Sequence, residues 1–242
     1  MMRMEMNVTL RCTRQCAWCV KLMHLKNVQR SDVTIEQARL FVEQLRVQQA
    51  RMGRLKLMGG EPAIHPHLVE LIDVFAEAKD VIGRISVQSS LNARSAPALR
   101  GKGGALKGKA RWFAKTPTKK DHTPWLISPA DLGVTGKYGI DKRCGVQEGC
   151  GFGFEKWGFT SCAIGGTLGR LLDVNPYSQR FFRRGIRDIC KHCVFSLGPK
   201  LNLVVRKAAM RGEIVAPTPT FERALPRYMA EGGEVDFPVW SR

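Results

Sequence analysis

The first ninety residues alternate strand-like and helix-like stretches, and this alternation constrains the fold more than any other feature. The strand-like stretches are short, and the first of them alternates apolar and polar residues. The stretches between them carry their apolar side chains mostly on one helical stripe. Strands that alternate with helices form a parallel sheet covered by helices, so we predict an α/β fold. In chain order the predicted elements are residues 4–10, 32–50, 54–60, 66–79 and 84–91.

The alternation ends after residue 91, and the rest of the chain changes character. Residues 92–120 form a basic loop rich in glycine, and a fourth short strand is predicted within it. Glycine and cysteine are dense from Cys144 to Gly169. We therefore predict a core (1–135), a cysteine-rich module (136–200) and a helical tail (201–242). Further predicted elements are a strand at 111–115, a long loop at 116–143 and helices at 178–189, 201–213 and 219–230.

Three cysteines lie within eight positions directly after the first predicted strand. Cys12, Cys16 and Cys19 have the spacing C-x3-C-x2-C, with Trp18 before the last of them. Cysteine thiolates are the ligands of iron–sulfur clusters. Three of them leave one iron of a [4Fe–4S] cluster without a protein ligand, and an open coordination position is what catalytic metal sites use to bind substrate. The alternatives are a zinc knuckle and a ferredoxin loop with a distant fourth cysteine.

A second motif ends the second predicted strand about forty residues later. It reads LMGGEP and contains Gly59, Gly60, Glu61 and Pro62. Together the two motifs resemble the radical S-adenosylmethionine (radical SAM) enzymes, in which a C-x3-C-x-aromatic-C loop follows the first strand and GGEP follows the second. The resemblance implies a partial (β/α) barrel. Only three or four β/α units precede the cysteine-rich part here, so we predict a trimmed barrel with an open cleft.

The resemblance also implies roles for individual residues and a reaction. The residues Gly59–Pro62 are expected to hold the methionine amino group of S-adenosylmethionine, and Trp18 to lie beside its adenine. Ser89 and Ser90, at the end of the third strand, are expected to contact its ribose or carboxylate. In the family, the open iron binds the cofactor, and one electron from a donor such as flavodoxin or ferredoxin cleaves it. The resulting 5′-deoxyadenosyl radical abstracts a hydrogen atom from the substrate.

Five further cysteines lie in the C-terminal half, and this segment resembles the auxiliary-cluster modules of radical SAM enzymes (the SPASM and twitch types). A four-ligand site leaves one thiol over. We predict a second [4Fe–4S] cluster on Cys150, Cys162, Cys190 and Cys193, with Cys144 in place of Cys150 as the alternative. The spare thiol could also face the active site. Zinc is the alternative occupant, because paired cysteines suit tetrahedral zinc equally well.

The charge of the chain favours a polyanionic partner. It has 39 Lys and Arg against 21 Asp and Glu, a net charge of +18, and residues 81–120 hold no acidic residue. Such an excess is typical of nucleic-acid binding, although a solvated loop is the alternative. Trp112, Phe113 and Trp125 are candidates for stacking a flipped-out base. The predicted contacts to nucleic acid are Arg94, Arg100, Lys102, Lys107, Lys109, Arg111, Lys119 and Lys120.

These features predict a substrate class and a location. We expect modification or rearrangement (isomerase-type chemistry) of a nucleobase substituent in DNA, as in small radical SAM proteins that remodel hypermodified thymines of phage DNA; RNA is also compatible. The alternatives are a peptide- or protein-maturing enzyme and a non-catalytic iron–sulfur regulator. The chain shows no signal peptide and no apolar run of about 20 residues, which predicts a cytoplasmic protein without a membrane partner (in the host cytoplasm if phage-encoded). In that compartment eight cysteines indicate metal or redox chemistry rather than disulfides.

Overall fold

A computed structural model describes residues 2–23, 25, 31–100, 105–114, 123–134, 144–182 and 186–231. The strands are β1 (Met2–Thr9), β2 (Met52–Gly59), β3 (Ile85–Ser89), β4 (Arg111–Ala114), β5 (Phe152–Glu155) and β6 (Gly158–Thr160). The α-helices are α1 (Ile35–Val47), α2 (Leu68–Glu77), α3 (Gly145–Gly149), α4 (Gly165–Leu172), α5 (Arg187–Cys190), α6 (Pro199–Met210) and α7 (Pro219–Ala230). Short 3-10 helices lie at Pro62–Ile64, Pro97–Leu99, Pro129–Leu132 and Val194–Leu197.

The strands form one six-stranded sheet in the order β4-β3-β2-β1-β5-β6. Every neighbouring pair is parallel except β5 and β6, which are antiparallel. The five parallel strands therefore end on the same side of the sheet, at Thr9, Gly59, Ser89, Ala114 and Glu155. We call this side the carboxyl edge and the opposite side the amino edge. In sheets of this kind ligands bind at the carboxyl edge.

The central strand β1 has two chemically different faces, because successive side chains point to opposite sides of a sheet. Met4, Met6 and Val8 are buried in the larger apolar core, together with Phe41 of α1 and Phe75 of α2. The residues between them face the other way and are polar. This second side of the sheet, the polar face, carries Glu5 and Asn7 of β1, Lys56 of β2 and Glu155 of β5, which contact one another.

A second apolar core lies under the C-terminal part of the chain. It includes Leu168 of α4, Val194, and Phe221 and Tyr228 of α7. Trp125 belongs to this core, is 1% exposed and has its ring 6.4 Å from that of Phe221. The prediction that Trp125 stacks a nucleobase is therefore wrong, because the ring is enclosed by protein.

The α/β class is confirmed by the sheet and by the helices that alternate with its first strands. The four predicted strands and helices α1, α2, α6 and α7 are all present. The helix predicted at 178–189 is wrong over its described first part, because Ser178 pairs with Phe159 in a β-bridge and α5 begins only at Arg187; residues 183–185 lie outside the described part. The trimmed barrel, with its open cleft, stays a prediction.

Strands β5 and β6 were not predicted, although they lie inside the segment assigned to a separate module. β5 pairs with β1 through Met4–Phe152, Glu5–Gly153 and Met6–Phe154, so this segment extends the central sheet. The predicted division into 1–135, 136–200 and 201–242 stays a prediction. Across the described parts of the chain, none of the helices combines the length and the apolarity that crossing a membrane requires.

Candidate functional site

The cysteine loop starts at the end of β1, at the carboxyl edge, and its first residues are anchored there. Leu10 donates its N–H to the carbonyl oxygen of Ser31 at 2.8 Å. Arg11 forms an ion pair with Asp32, with its Nη2 2.7 Å from Oδ2, and its Nε donates to Oδ1 at 3.1 Å. The segment that leads into α1 therefore holds the entry to the loop on one side.

The three thiols of the loop lie close enough to influence one another. The Cys19 N–H donates to the Cys16 carbonyl oxygen at 3.3 Å, which closes a turn around Trp18. Trp18 has a φ of 55°, a left-handed backbone conformation that bulky residues rarely adopt. Burial raises the pKa of the Cys12 thiol, and the charges of Cys19, Glu61 and Cys16 raise it further, whereas the Arg14 N–H lowers it. Three thiolates this close would repel one another, and an iron–sulfur cluster bound between them would offset that repulsion, so the donor set fits such a cluster.

The GGEP segment is bonded directly to the start of the cysteine loop. Gly60 donates its N–H to Thr9 O at 2.8 Å, and Glu61 donates its N–H to Arg11 O at 2.7 Å. A Cβ on Gly60 would lie 2.1 Å from Arg11 O, and one on Gly59, where φ is +144°, would lie 2.1 Å from Thr9 O. The two glycines are therefore needed because the backbones of β2 and of the cysteine loop approach each other so closely.

Replacing Gly60 with alanine is expected to lower the free energy of unfolding by about 1–3 kcal/mol, the usual cost of forcing extra atoms into a packed region. The new Cβ would overlap the Arg11 carbonyl and press on the Cβ of Cys12, 3.0 Å away. Urea unfolding under anaerobic conditions measures the change. Gly145→Ala is the matched control, because a Cβ there meets no atom within 4 Å, and it should leave stability unchanged or slightly higher. Equal stability of the two variants would contradict this packing.

The carboxylate of Glu61 connects the ends of β2 and β3. It is 1% exposed, and it accepts hydrogen bonds from Ser89 Oγ at 2.6 Å, from Ser90 N at 2.8 Å and from Ser90 Oγ. The Ala63 N–H donates to the same carboxylate at 3.0 Å. The side chains of Glu61, Ser89 and Ser90 are thus engaged with one another, which shapes the carboxyl edge beside the cysteine loop. Direct contacts of these residues with a cofactor stay a prediction.

Four of the other cysteines form a second group. Burial raises the pKa of Cys162 to about 12, and Cys144 and Cys190 contribute to the increase. Burial likewise raises the pKa of Cys190 to about 11, with a further contribution from Cys144. Cys193 has its pKa raised by burial and then by Cys162, Cys144 and Cys190. These mutual influences place Cys144, Cys162, Cys190 and Cys193 near one another.

Cys150 stands apart from this group. Burial raises the pKa of its thiol, and the neighbours that act on it next are Glu5 and Lys56 of the polar face, followed by Lys21. Cys144 directly precedes the short helix α3 and Cys150 directly follows it, so the two thiols lie at opposite ends of the helix. Cys150 therefore lies apart from the four thiols that influence one another, and which four of the five cysteines bind a cluster stays a prediction.

The two cysteine groups differ from a preformed site for one metal ion. Within the described residues, no three side chains of histidine, cysteine, aspartate or glutamate converge closely enough to hold a single ion. Zinc needs its four ligands around one centre, whereas the thiolates of a [4Fe–4S] cluster bind separate irons and stay farther apart. Three thiols at the carboxyl edge and four in the second group are of the donor type that iron–sulfur clusters use.

A lysine connects the two cysteine regions. Lys21 follows the cysteine loop by two residues, is 2% exposed and donates from Nζ to the carbonyl oxygen of Ala163 at 2.6 Å. Its charge contributes a decrease to the pKa of Cys150, Glu155 and Cys162, although burial keeps the pKa of both thiols above the ordinary value. The burial of Lys21 was not predicted, because nothing in the sequence around the cysteine motif distinguishes a buried lysine from an exposed one.

A buried ionic network underlies the polar face next to the carboxyl edge. Arg170 of α4 contacts the carboxylate of Glu155 and the hydroxyl of Tyr177, and Tyr177 donates to the same carboxylate. Asn7 donates from Nδ2 to the other oxygen of Glu155, while its Oδ1 is buried without a hydrogen-bond donor among the described residues. Burial alone would raise the pKa of Glu155, but Arg170, Lys21 and Tyr177 outweigh it and lower that pKa. In the sequence, this polar face is indicated by Glu5 and Asn7, which alternate with the buried apolar residues of β1.

The residues predicted to contact nucleic acid divide between the two edges of the sheet. Arg94 and Arg100 are exposed and follow β3 at the carboxyl edge. Lys107, Lys109 and Arg111 are exposed and lie at the start of β4, which is the amino edge. The structure therefore does not bring these five residues together. Lys102, Lys119 and Lys120 lie outside the described residues.

The two candidate stacking residues on β4 have different environments. Trp112 is half-buried and donates from Nε1 to the carbonyl oxygen of Leu91 at 2.9 Å. Phe113 is 44% exposed, and the guanidinium of Arg111 lies 4.9 Å from the centre of its ring. Phe113 is thus the candidate whose ring is accessible to a ligand.

The fold and the site define an α/β protein with a mostly parallel sheet and a three-cysteine loop at its carboxyl edge. Comparison with known proteins gives a similar solved structure and no family assignment. No protein-family model matches the chain, and no curated protein matches it either. A similar solved structure is the crystal structure of BtrN in complex with AdoMet and 2-DOIA, which is 14% identical, with 87% of this chain and 89% of that chain covered and a TM-score of 0.47. A similarity at this level does not assign a family.

Proposed function

We propose that the protein is a radical SAM enzyme. The observation that carries the proposal is the junction at the carboxyl edge, where the backbone of the GGEP segment is bonded to the start of a loop that presents three cysteines. Cys144, Cys162, Cys190 and Cys193 influence one another and not Cys12, which supports the inference that none of them is a fourth ligand of the loop. Three protein ligands leave one iron of a [4Fe–4S] cluster open for the cofactor.

The protein's own residues would hold and orient the reactants. Cys12, Cys16 and Cys19 would bind the cluster, and the Gly59–Pro62 segment, held against the loop by Gly60 and Glu61, would position the methionine end of S-adenosylmethionine. The bound cluster and cofactor supply reductive cleavage of a sulfur–carbon bond and a radical that abstracts a hydrogen atom. Ser89 and Ser90 hold the carboxylate of Glu61 in place beside the cysteine loop.

The test of this chemistry is anaerobic and needs no substrate. Protein reconstituted with iron and sulfide is mixed with S-adenosylmethionine and a chemical reductant, and 5′-deoxyadenosine and methionine are measured by mass spectrometry. We expect both products in equal amounts. Iron-loaded protein that forms neither product would contradict the proposal.

We further propose that the second cysteine group binds an auxiliary cluster through Cys144, Cys162, Cys190 and Cys193. Alanine at Cys144 is expected to lower the iron content from about eight to about four per chain, because one ligand of a four-ligand cluster is lost. Cys150→Ala is the matched control: it removes a thiol from the other end of the same helix and should leave the iron content unchanged. About four irons and one zinc in the unaltered protein would instead assign zinc to this group.

The substrate that we propose is nucleic acid, with a nucleobase substituent of DNA as the target and RNA as the related case. The support is the net charge of +18 and the exposed cations at both edges of the sheet. The second cysteine group is the observation that favours the alternative, a peptide-maturing enzyme. Binding of DNA, RNA and a random peptide across a series of salt concentrations separates the two. Binding to nucleic acid that weakens steeply with salt supports the first, whereas binding of the peptide alone supports the second.

A further inference from the structure

The amino edge of the sheet carries a groove that no part of the proposed reaction uses. It has a volume of about 530 Å³ and lies beside the starts of β2, β3 and β4 and the end of α2. Arg51 precedes β2, Arg84 precedes β3, and Arg111 begins β4. The groove therefore lies at the end of the sheet opposite to the cysteine loop. The cations that line it are Arg51, Lys79, Arg84, Lys109 and Arg111.

The charge of the groove is one-sided. Its other lining residues are apolar or glycine, and no carboxylate lines it. Lys109 forms an ion pair with Asp73, with its Nζ 2.7 Å from Oδ1, and Asp73 is not among the residues that line the groove. Asp80, the carboxylate next in sequence to Lys79, is taken by Arg46, with Nε 2.7 Å from its Oδ2. A concentration of like charge with few acidic neighbours raises the local potential and attracts polyanions.

The positive surface extends beyond the groove along the same edge. Arg3 and Arg54 lie opposite each other on β1 and β2, a cross-strand pairing of like charges that is itself unfavourable. The Nε of Arg54 is buried and has no hydrogen-bond acceptor in the described part of the chain. The amino edge from β1 to β4 therefore carries an arginine at or near the start of each strand.

An exposed aromatic ring distinguishes among anionic partners. Arg111 leads from the groove onto β4, the outermost strand of the sheet, and its guanidinium lies 4.9 Å from the ring centre of Phe113. Phe113 is 44% exposed although it is a large apolar residue. Cations that contact phosphates beside aromatic rings that stack on bases are the features of surfaces that bind single-stranded nucleic acid. An acidic peptide or a lipid headgroup would use the cations but not the ring.

We infer that this groove and the exposed side of β4 bind the backbone of a nucleic acid, with Phe113 stacking against a base. The inference rests on the proposed function for the choice of nucleic acid and places the contact at the amino edge. β3 spans five residues, or about 17 Å. A nucleic-acid strand bound in the groove therefore runs along β4. It reaches Arg94 and Arg100 at the carboxyl edge, within a few nucleotides of the cysteine loop.

The experiment compares two triple charge reversals in the full-length protein. The groove variant combines Arg51→Glu, Lys79→Glu and Arg84→Glu. The control combines Lys200→Glu, Lys207→Glu and Arg223→Glu on α6 and α7, which are also exposed and change the net charge equally. Affinities for a labelled 30-nucleotide DNA strand, its duplex and the matching RNA are measured by fluorescence anisotropy at several salt concentrations. Thermal unfolding verifies that both variants fold.

The groove variant is expected to bind the single strand at least about tenfold more weakly than the control variant. Its plot of log affinity against log salt should be less steep by about 2, because three phosphate contacts of about 0.7 each are lost. Phe113→Ala should weaken binding roughly tenfold with an unchanged salt slope, since stacking is not ionic. Equal losses in the groove and control variants, or equally tight binding of polyglutamate, would overturn the inference.

The outcome is distinguishable from failure of the proposed function. Formation of 5′-deoxyadenosine without any substrate should be the same in the groove variant and the unaltered protein. A groove variant that keeps this activity and keeps its affinity for nucleic acid overturns the inference and leaves the radical SAM proposal standing. Protein that binds nucleic acid through the groove and forms no 5′-deoxyadenosine supports the inference and overturns the proposed chemistry.

Discussion

Alanine in place of Cys16 is expected to abolish the formation of 5′-deoxyadenosine from S-adenosylmethionine. Cys16 and Cys19 share one turn, and Cys12 lies within range of both charges, so the loss of any one thiol leaves a cluster with two ligands. The iron content should fall by about four per chain, because a [4Fe–4S] cluster held at two corners is not retained. Product formation is followed by mass spectrometry under anaerobic conditions with excess reductant.

Cys150→Ala is the control for this experiment. It removes a thiol that contacts Glu5 instead of the cysteine loop. It should keep its iron and its ability to cleave the cofactor. A Cys16→Ala variant that still forms 5′-deoxyadenosine above the level without protein would contradict the assignment of the loop.

Methionine in place of Arg170 is expected to lower the free energy of unfolding by about 3–5 kcal/mol, the usual cost of removing one partner of a buried ion pair. The side chains of Arg170 and Glu155 are 1% and 3% exposed, so the carboxylate would be left charged in the protein interior. Arg46→Met breaks an ion pair with Asp80 whose side chains are 52% and 53% exposed. That control should cost at most about 1 kcal/mol. Urea unfolding measures both values.

Two further measurements test the same ion pair. Combining Arg170→Met with Glu155→Gln should recover part of the loss, because no charge is then left unpaired. The folded protein lowers the pKa of Glu155, so the stability that the pair contributes is present above the ordinary glutamate pKa of about 4.3 and is lost as the pH falls through the lowered value. If the Arg170→Met variant were as stable as the unaltered protein at neutral pH, this network would not hold β1, β5 and α4 together.

The sequence predicted the strands and helices whose periodicity is local, and missed those that depend on distant partners. Strands β1 to β4 and helices α1 and α2 have their apolar side chains at regular intervals. Strand β5 is the stretch FGFE, which reads as a glycine-rich loop. It becomes a strand because β1 lies beside it and because Gly153 leaves room for Thr160, whose Oγ1 would be 2.2 Å from a Cβ at that position.

In the candidate site too, the sequence predicted what depends on neighbouring residues and left open what depends on distant ones. The spacing of Cys12, Cys16 and Cys19 contains its own chemistry, so the loop was found directly. The choice between Cys144 and Cys150 depended on Glu5, which lies at the other end of the chain. Cys150 lies beside Glu5 of the polar face, and this is why we propose Cys144 as the ligand in its place.

Some basic residues that are close in sequence between residues 92 and 120 are not close in the structure. Arg100 and Lys107 are seven residues apart, yet they lie toward opposite edges of the sheet. The reason is the parallel pairing of β3 and β4, which returns the chain from the end of one strand to the start of the next. Arg84 belongs to the stretch 81–120 that holds no acidic residue, whereas Arg51, which completes the groove, lies far from it in sequence and was not grouped with it.

The most direct test of the central claim is the electron paramagnetic resonance spectrum of the reduced, reconstituted protein before and after addition of S-adenosylmethionine. Cys144→Ala should be used, so that the cluster of the three-cysteine loop dominates the signal. If an iron of this cluster is open, the cofactor binds to it and the g values shift. A spectrum that is identical with and without the cofactor would contradict the account.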